Sequence, residues 1–183
     1  MKKTVLTFGL ISGFIISVLM GGSLYFADKI GAGHSMALGY TIMVASFLLV
    51  YFGIRSYRDN TLPGEISFGR AFACGILITL ITTACYVVMW EILYFKFMPH
   101  FMDSYFAAQI QKVQSAGLDS ATTAAQVAAI QHSQQLYQNP LVNVAYTIIE
   151  PLPVGILITL ISAALLRRKA ATAGKPSANP ALA

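Results

Sequence analysis

The sequence predicts an all-α membrane protein with four transmembrane helices and an extramembrane helical hairpin between spans three and four. Three observations carry this. Four apolar stretches, Thr4–Ala27, Met36–Ile54, Ala71–Phe95 and Leu141–Leu166, each reach the length of about 20 apolar residues that a helix needs to cross a bilayer core. The 183 residues are 56% hydrophobic and only 10% charged, which leaves no room for a separate soluble catalytic unit. The Lys and Arg residues, finally, are sorted by side.

That sorting fixes the expected topology. Lys2 and Lys3 precede span one, Arg55, Arg58 and Arg70 lie between spans two and three, and Arg167, Arg168, Lys169 and Lys175 follow span four. The other two connections hold only Lys29, Lys96 and Lys112, so nine cations stand against three and the positive-inside rule puts both termini in the cytoplasm. A net charge of +5 would also suit nucleic acid or anionic lipid at Arg167–Lys169, but its distribution favours topology. No nucleic-acid partner is expected.

Span one begins as a signal peptide would, with Lys2 and Lys3 before an apolar run. The run is long for an h-region, and Leu24-Tyr25-Phe26-Ala27 lacks a small residue three positions before a cut after Ala27. A retained helix is expected. The connection Asp28–Ser35 is short and Gly-rich, so spans one and two form an antiparallel hairpin. In the connection Arg55–Arg70, Leu62-Pro63-Gly64 signals a turn and Ser67 suits an N-cap for span three. Cys74 and Cys85 sit eleven residues apart in that span, about 16 Å along a helix, and read as buried small thiols.

The insert at 97–140 is rich in Ala and Gln. Ser104–Ala116 and Ser120–Gln138 read as helices, with Gly117 as C-cap and Asp119 or Ser120 as N-cap. Tyr105, Phe106, Ile110 and Val113 have the spacing to face Val127, Ile130 and Tyr137 in a seam. That seam serves either to hold the hairpin together or to dock a protein partner on the periplasmic side. Residues 1–169 form the transmembrane domain, and 170–183 read as a flexible cytoplasmic tail too poor in apolar residues to order itself.

Small residues recur every fourth position: Gly9, Gly13, Ser17 and Gly21 on span one, Ala71, Gly75, Thr79 and Thr83 on span three, Gly155, Thr159 and Ala163 on span four. Such stripes let helix backbones approach closely where lipid gives no hydrophobic drive for association. They predict tight packing, within the chain or in a homo-oligomer. The heptapeptide Gly-Ile-Leu-Ile-Thr-Leu-Ile occurs twice, at Gly75–Ile81 and Gly155–Ile161. Inverted repeats are a transporter device, but the small alphabet of membrane helices also produces such echoes.

The candidate site is Glu91 in span three with Glu150 in span four. With Pro99 and Pro140 at the outer boundary, Glu91 lies eight residues in and Glu150 ten, about 12 and 15 Å deep. No Lys or Arg lies at that depth. Two close carboxyls cannot both ionise cheaply, so one holds a proton or both share a cation. Pro151 and Pro153 deny helical hydrogen bonds to the carbonyls of Thr147 and Ile149, next to Glu150. Free carbonyls beside a carboxylate in a broken helix suit an ion. Thr147 and Tyr146 join the candidate site, and Tyr86, Trp90 and Tyr94 have positions to line it. The bland alternative is a protonated Glu pair acting only as a polar lock. His34, His100 and His132 fall on the outer side, with Met98 and Met102 flanking His100, but no spacing makes a firm metal site. No phosphate-cradling loop, HExxH, CxxC or nucleophile set is present, so neither an enzyme nor a cofactor is expected.

Tyr51-Phe52-Gly53-Ile54-Arg55-Ser56-Tyr57-Arg58 leaving span two, and Ile66-Ser67-Phe68-Gly69-Arg70-Ala71-Phe72 entering span three, form a recognisable pattern with Gln138-Asn139-Pro140 and the Pro153–Arg168 segment. This pattern resembles a bacterial family of small four-span membrane proteins called domain of unknown function 4199, from Lys3 to about Lys169. The resemblance implies an inner-membrane location and supports the span count. It implies no catalytic or binding residues. The expected function is that of a non-enzymatic scaffold or partner-binding subunit. The rival is a proton- or cation-coupled carrier using the Glu pair.

Overall fold

The computed structural model describes residues 1–25, 32–98 and 101–168, except for the side chains of 25, 32–36 and 101. The described residues form helices α1 (Lys2–Tyr25), α2 (Ala32–Asn60), α3 (Phe68–Ile92), α4 (Phe101–Gln114), α5 (Ser120–Tyr137), α6 (Pro140–Ile149) and α7 (Pro151–Leu166). A π-helical turn, Leu93–Phe97, continues α3. Four segments, Lys2–Leu24, Ala37–Asn60, Phe68–Phe97 and Pro140–Leu166, are long and apolar enough to cross a membrane. Asp28, Lys29, Pro99, His100 and the tail from Lys169 lie outside the described residues, as do the side chain of His34 and the expected end of span one at Ala27.

The core runs through the bundle centre, on Ile16, Phe47, Val50, Ile54 and Ile78, all nearly or fully buried. α1 packs on α2 and α3, and α7 on α2 and α3. Helix α2 runs six residues past the expected end at Ile54, because Tyr57 is still buried and Asp59 bridges Arg55 and Arg58 at 3.6 and 2.7 Å. Helix α3 opens where expected: the Ser67 hydroxyl accepts from the Arg70 amide at 3.4 Å. An isolated backbone bridge, Ile66 amide to Arg168 carbonyl at 3.2 Å and the reverse at 3.0 Å, ties the loop before α3 to the end of α7.

The fourth apolar segment is two helices, broken at Glu150 as the two prolines require. Between spans three and four, α4 and α5 pack as a hairpin. Gly117, with φ +69, makes the left-handed turn between them, and Asp119 caps α5 by accepting from the Ala121 and Thr122 amides at 3.1 and 3.0 Å. In the seam Phe106 is buried, and Ile110, Val113, Val127 and Ile130 are half-buried; Tyr105 turns outward.

Candidate functional site

Helix α3 brings two of the expected polar features into contact with span four, at different depths. Deeper in the bundle the two copies of the heptapeptide pack on each other reciprocally. A Cβ on Gly75 would stand 2.7 Å from the Thr159 methyl, and a Cβ on Gly155 would collide with the Thr79 methyl. The two hydroxyls, Thr79 and Thr159, lie 3.0 Å apart, and Thr79 also reaches the Gly155 carbonyl at 3.4 Å. The stripe on α1 meets a different face of α3: Gly9 lies against Ile81, Gly13 against Cys85, and the Ser17 hydroxyl donates to the Cys85 carbonyl at 3.4 Å. Gly21 has open space around it.

Nearer the hairpin, Tyr86 donates its hydroxyl proton to Glu150 Oε2 at 3.0 Å. Both side chains line a cavity of about 40 Å³ together with Ile16, Met20 and Ser23 of α1 and Gly39 and Met43 of α2. That volume exceeds what one water molecule needs, and the carboxylate, phenol and Ser23 hydroxyl give it polar walls. Glu150 is itself exposed. Among the described residues α6 packs on α3 and α5, while α7 packs against α2. No basic side chain pairs with this carboxylate among the described residues.

Glu91 stands elsewhere. It follows Tyr86 by five residues, about 140° around the helix, so the partner of Glu150 and Glu91 point in different directions. Glu91 shares the stripe of Leu80 and Ala84, both exposed, and its Oε1 is buried without a hydrogen-bond partner among the described residues. No hydrogen bond joins it to Glu150 among the described residues.

A second polar knot closes the hairpin end, built on a residue that the sequence reading passed over. Asn143 is fully buried; its Oδ1 accepts from Trp90 Nε1 at 3.0 Å and from the Thr147 hydroxyl at 3.2 Å, and its amide donates to the Tyr137 carbonyl at 3.4 Å. The available signal was an Asn one turn into an apolar span, where a lone amide must find partners. Rings surround the knot: Trp90 stacks on Tyr94 at 6.0 Å, and Tyr137 meets Tyr94, Phe106 and Tyr146 at 5.6, 6.2 and 6.1 Å. Burial pushes the Tyr137 phenol up to about 12. Thr147 therefore belongs to the Asn143 knot, one turn from Glu150, and Tyr146 to the ring cluster, half exposed.

The model of a family described as protein of unknown function (DUF4199) matches residues 7–168. The chain belongs to that family. The match spans all four apolar segments and the hairpin, as the resemblance at the span boundaries implied. No curated protein and no solved structure matches the chain.

Proposed function

We propose that this member of the family is a bacterial inner-membrane protein that binds a proton or a small cation at Glu150 and works as a coupled carrier, not as an enzyme. The observation that carries the reading is the Tyr86–Glu150 contact at the wall of a small cavity, at the point where two prolines break span four. A carboxylate at that depth is costly unless something neutralises it. Tyr86 supplies one hydrogen bond and no charge. The carbonyls of Thr147 and Ile149, freed by Pro151 and Pro153, add oxygen donors of the kind that hold protons and small cations.

The test is infrared titration of reconstituted protein with H⁺, Na⁺ and K⁺, comparing wild type with Glu150→Gln and Tyr86→Phe. Wild type should show carboxyl bands that respond to one of the three ions; Glu150→Gln should lose them, and Tyr86→Phe should shift them. Identical spectra in wild type and Glu150→Gln would refute the reading.

The partner-binding reading keeps one observation in its favour. Helix α5 runs eighteen residues without one buried side chain, yet the hairpin is fastened to the spans through Tyr137, whose ring meets Tyr94 and Tyr146. A firmly held, solvated helix on the periplasmic side suits docking. Replacing Ser104–Gln138 by a short linker should then abolish partner capture while ion-dependent carboxyl bands persist.

A further inference from the structure

Three contacts gather the basic ends of the spans. Phe8 of α1 lies against Gly53 of α2, where a Cβ would stand 3.2 Å away. Arg58 Nη1 donates to the Leu166 carbonyl at 3.3 Å, which ties the end of α2 to the end of α7. The backbone bridge between Ile66 and Arg168 ties the end of α7 to the start of α3. Every described Lys and Arg except Lys96 and Lys112 therefore sits at one end of the bundle, where Asp59 and Glu65 are the described acids.

These cations divide into two sets. Arg58 is inward: its side chain is 14% exposed, its Nε holds Asp59 at 2.7 Å, and Asp59 also meets Arg55 at 3.6 Å. Asp59 is thus neutralised within the chain. Arg70, Arg167 and Arg168 are exposed and form no ion pair among the described residues. Nor can Arg168 drift with a frayed helix end, because its amide and its carbonyl both bond Ile66. Topology asks only for cations near the span ends. It does not ask that they stand unpaired, with their backbone pinned beside the first turn of another helix. Exposed apolar side chains flank them in the chain. Leu165, 71% exposed, comes two residues before Arg167, and Phe68, 40% exposed and stacked on Phe72 at 6.2 Å, two before Arg70. Arg70 falls within the first turn of the apolar segment Phe68–Phe97, and Arg167 directly follows Pro140–Leu166. That is the level at which hydrocarbon gives way to headgroups.

We infer that the end of the bundle carrying Arg70, Arg167 and Arg168 binds anionic phospholipid, with the phosphodiester headgroup on the arginines and the acyl chains on the apolar side chains beside them. Charge complementarity separates this occupant from ordinary bilayer lipid, since a zwitterionic headgroup brings its own ammonium to the unpaired arginines. The apolar flank separates it from soluble anions. A nucleic acid or free phosphate would use the charge alone, whereas an anionic amphiphile uses both.

The experiment is native mass spectrometry of the full chain released from nanodiscs of equal parts phosphatidylglycerol and phosphatidylcholine, counting the lipids that stay bound. Wild type should retain phosphatidylglycerol over phosphatidylcholine by tenfold or more. Arg70→Gln, Arg167→Gln and Arg168→Gln should each lower that preference about fivefold or less, the scale of one cation at a membrane surface. The triple variant should have none. The side chains are exposed and the Arg168 bridge is made by backbone, so the single variants keep the fold, which unchanged Trp90 emission checks. Lys112→Gln, in the hairpin, should leave the preference intact. Sodium phosphate should displace no more lipid than sodium chloride at equal ionic strength. Equal retention of the two lipids by wild type, an undiminished preference in all three single variants, or an equal loss in Lys112→Gln would overturn the proposal. So would selective displacement by phosphate, which would mean a site for soluble anions.

Discussion

Thr79 and Thr159 place their hydroxyls 3.0 Å apart at the crossing of α3 and α7, each beside the other helix's glycine. The two copies of one heptapeptide thus meet antiparallel, with Gly75 under Thr159 and Gly155 under Thr79. A repeated sequence satisfies both sides of such a crossing with one solution: a glycine to admit the partner's methyl and a hydroxyl to bond the partner's hydroxyl. Close approach, more than the hydrogen bond, should hold the crossing. Gly155→Leu and Gly75→Leu force overpacking at about 1–3 kcal/mol each. Thr79→Val should cost about 0.6 kcal/mol, the average for interhelical bonds in membranes. Denaturant unfolding in bicelles should rank the three variants in that order, and a larger loss for Thr79→Val would show the hydroxyl pair to be the dominant contact.

Trp90 is the only tryptophan in the chain, and its indole N–H is committed to Asn143. Intrinsic fluorescence therefore reports directly on the knot that joins α3, α6 and the hairpin. Asn143→Leu should shift the Trp90 emission and destabilise the protein by about 1–3 kcal/mol, because the indole N–H loses its acceptor in a part-buried site, whereas the Thr147 hydroxyl keeps its bond to the backbone carbonyl of residue 143 at 2.9 Å. Unchanged emission in that variant would mean that the indole finds another acceptor without cost.

Most of the fold was legible because hydropathy and helix punctuation are local. Ser67, Gly117, Asp119 and the Pro151–Pro153 break all act through their own backbone neighbourhood, and each does in the structure what its residue type allows. The rotation of α3 was not legible. Glu91 and Glu150 are near in depth, but depth says nothing about which face of a helix a side chain occupies. Only the packing of Gly13 on Cys85 and of Gly75 on Thr159 fixes that rotation, and it turns Tyr86 toward Glu150 and Glu91 away from Tyr86. Asn143 escaped notice for a related reason, since its partners Trp90 and Tyr137 come from two other helices.

The hairpin carries a pH dependence of its own. Hydrogen bonds from Thr122, with the Ala121 amide adding to them, hold the Asp119 carboxyl below its usual value of 3.8. A carboxyl depressed on folding contributes stability that is complete above the unfolded value and is lost as pH falls through the folded one. Amide exchange at Ala121 and Thr122 should therefore quicken, beyond its intrinsic change, only below about pH 4. Asp119→Asn keeps a capping oxygen without the charge, so its relative protection should be flat over that window. The same acid-dependent loss in Asp119→Asn would assign the effect to another group.

Pro153 separates the stability of span four from the chemistry of its break. Its ring is exposed, so Pro153→Ala creates no cavity, in contrast to Pro151, which is fully buried. The substitution returns an N–H to the register of the Ile149 carbonyl. One regained helical hydrogen bond should stabilise the protein by about 1 kcal/mol. The carbonyl is then occupied, and a cation held jointly by it and Glu150 loses one oxygen donor. A more stable protein whose carboxyl bands need several times more cation to respond is the expected outcome. Higher stability with an unchanged ion response would remove the Ile149 carbonyl from the site and leave Glu150 with Tyr86 alone. Lower stability would show that the kink itself is required for α7 to reach α2.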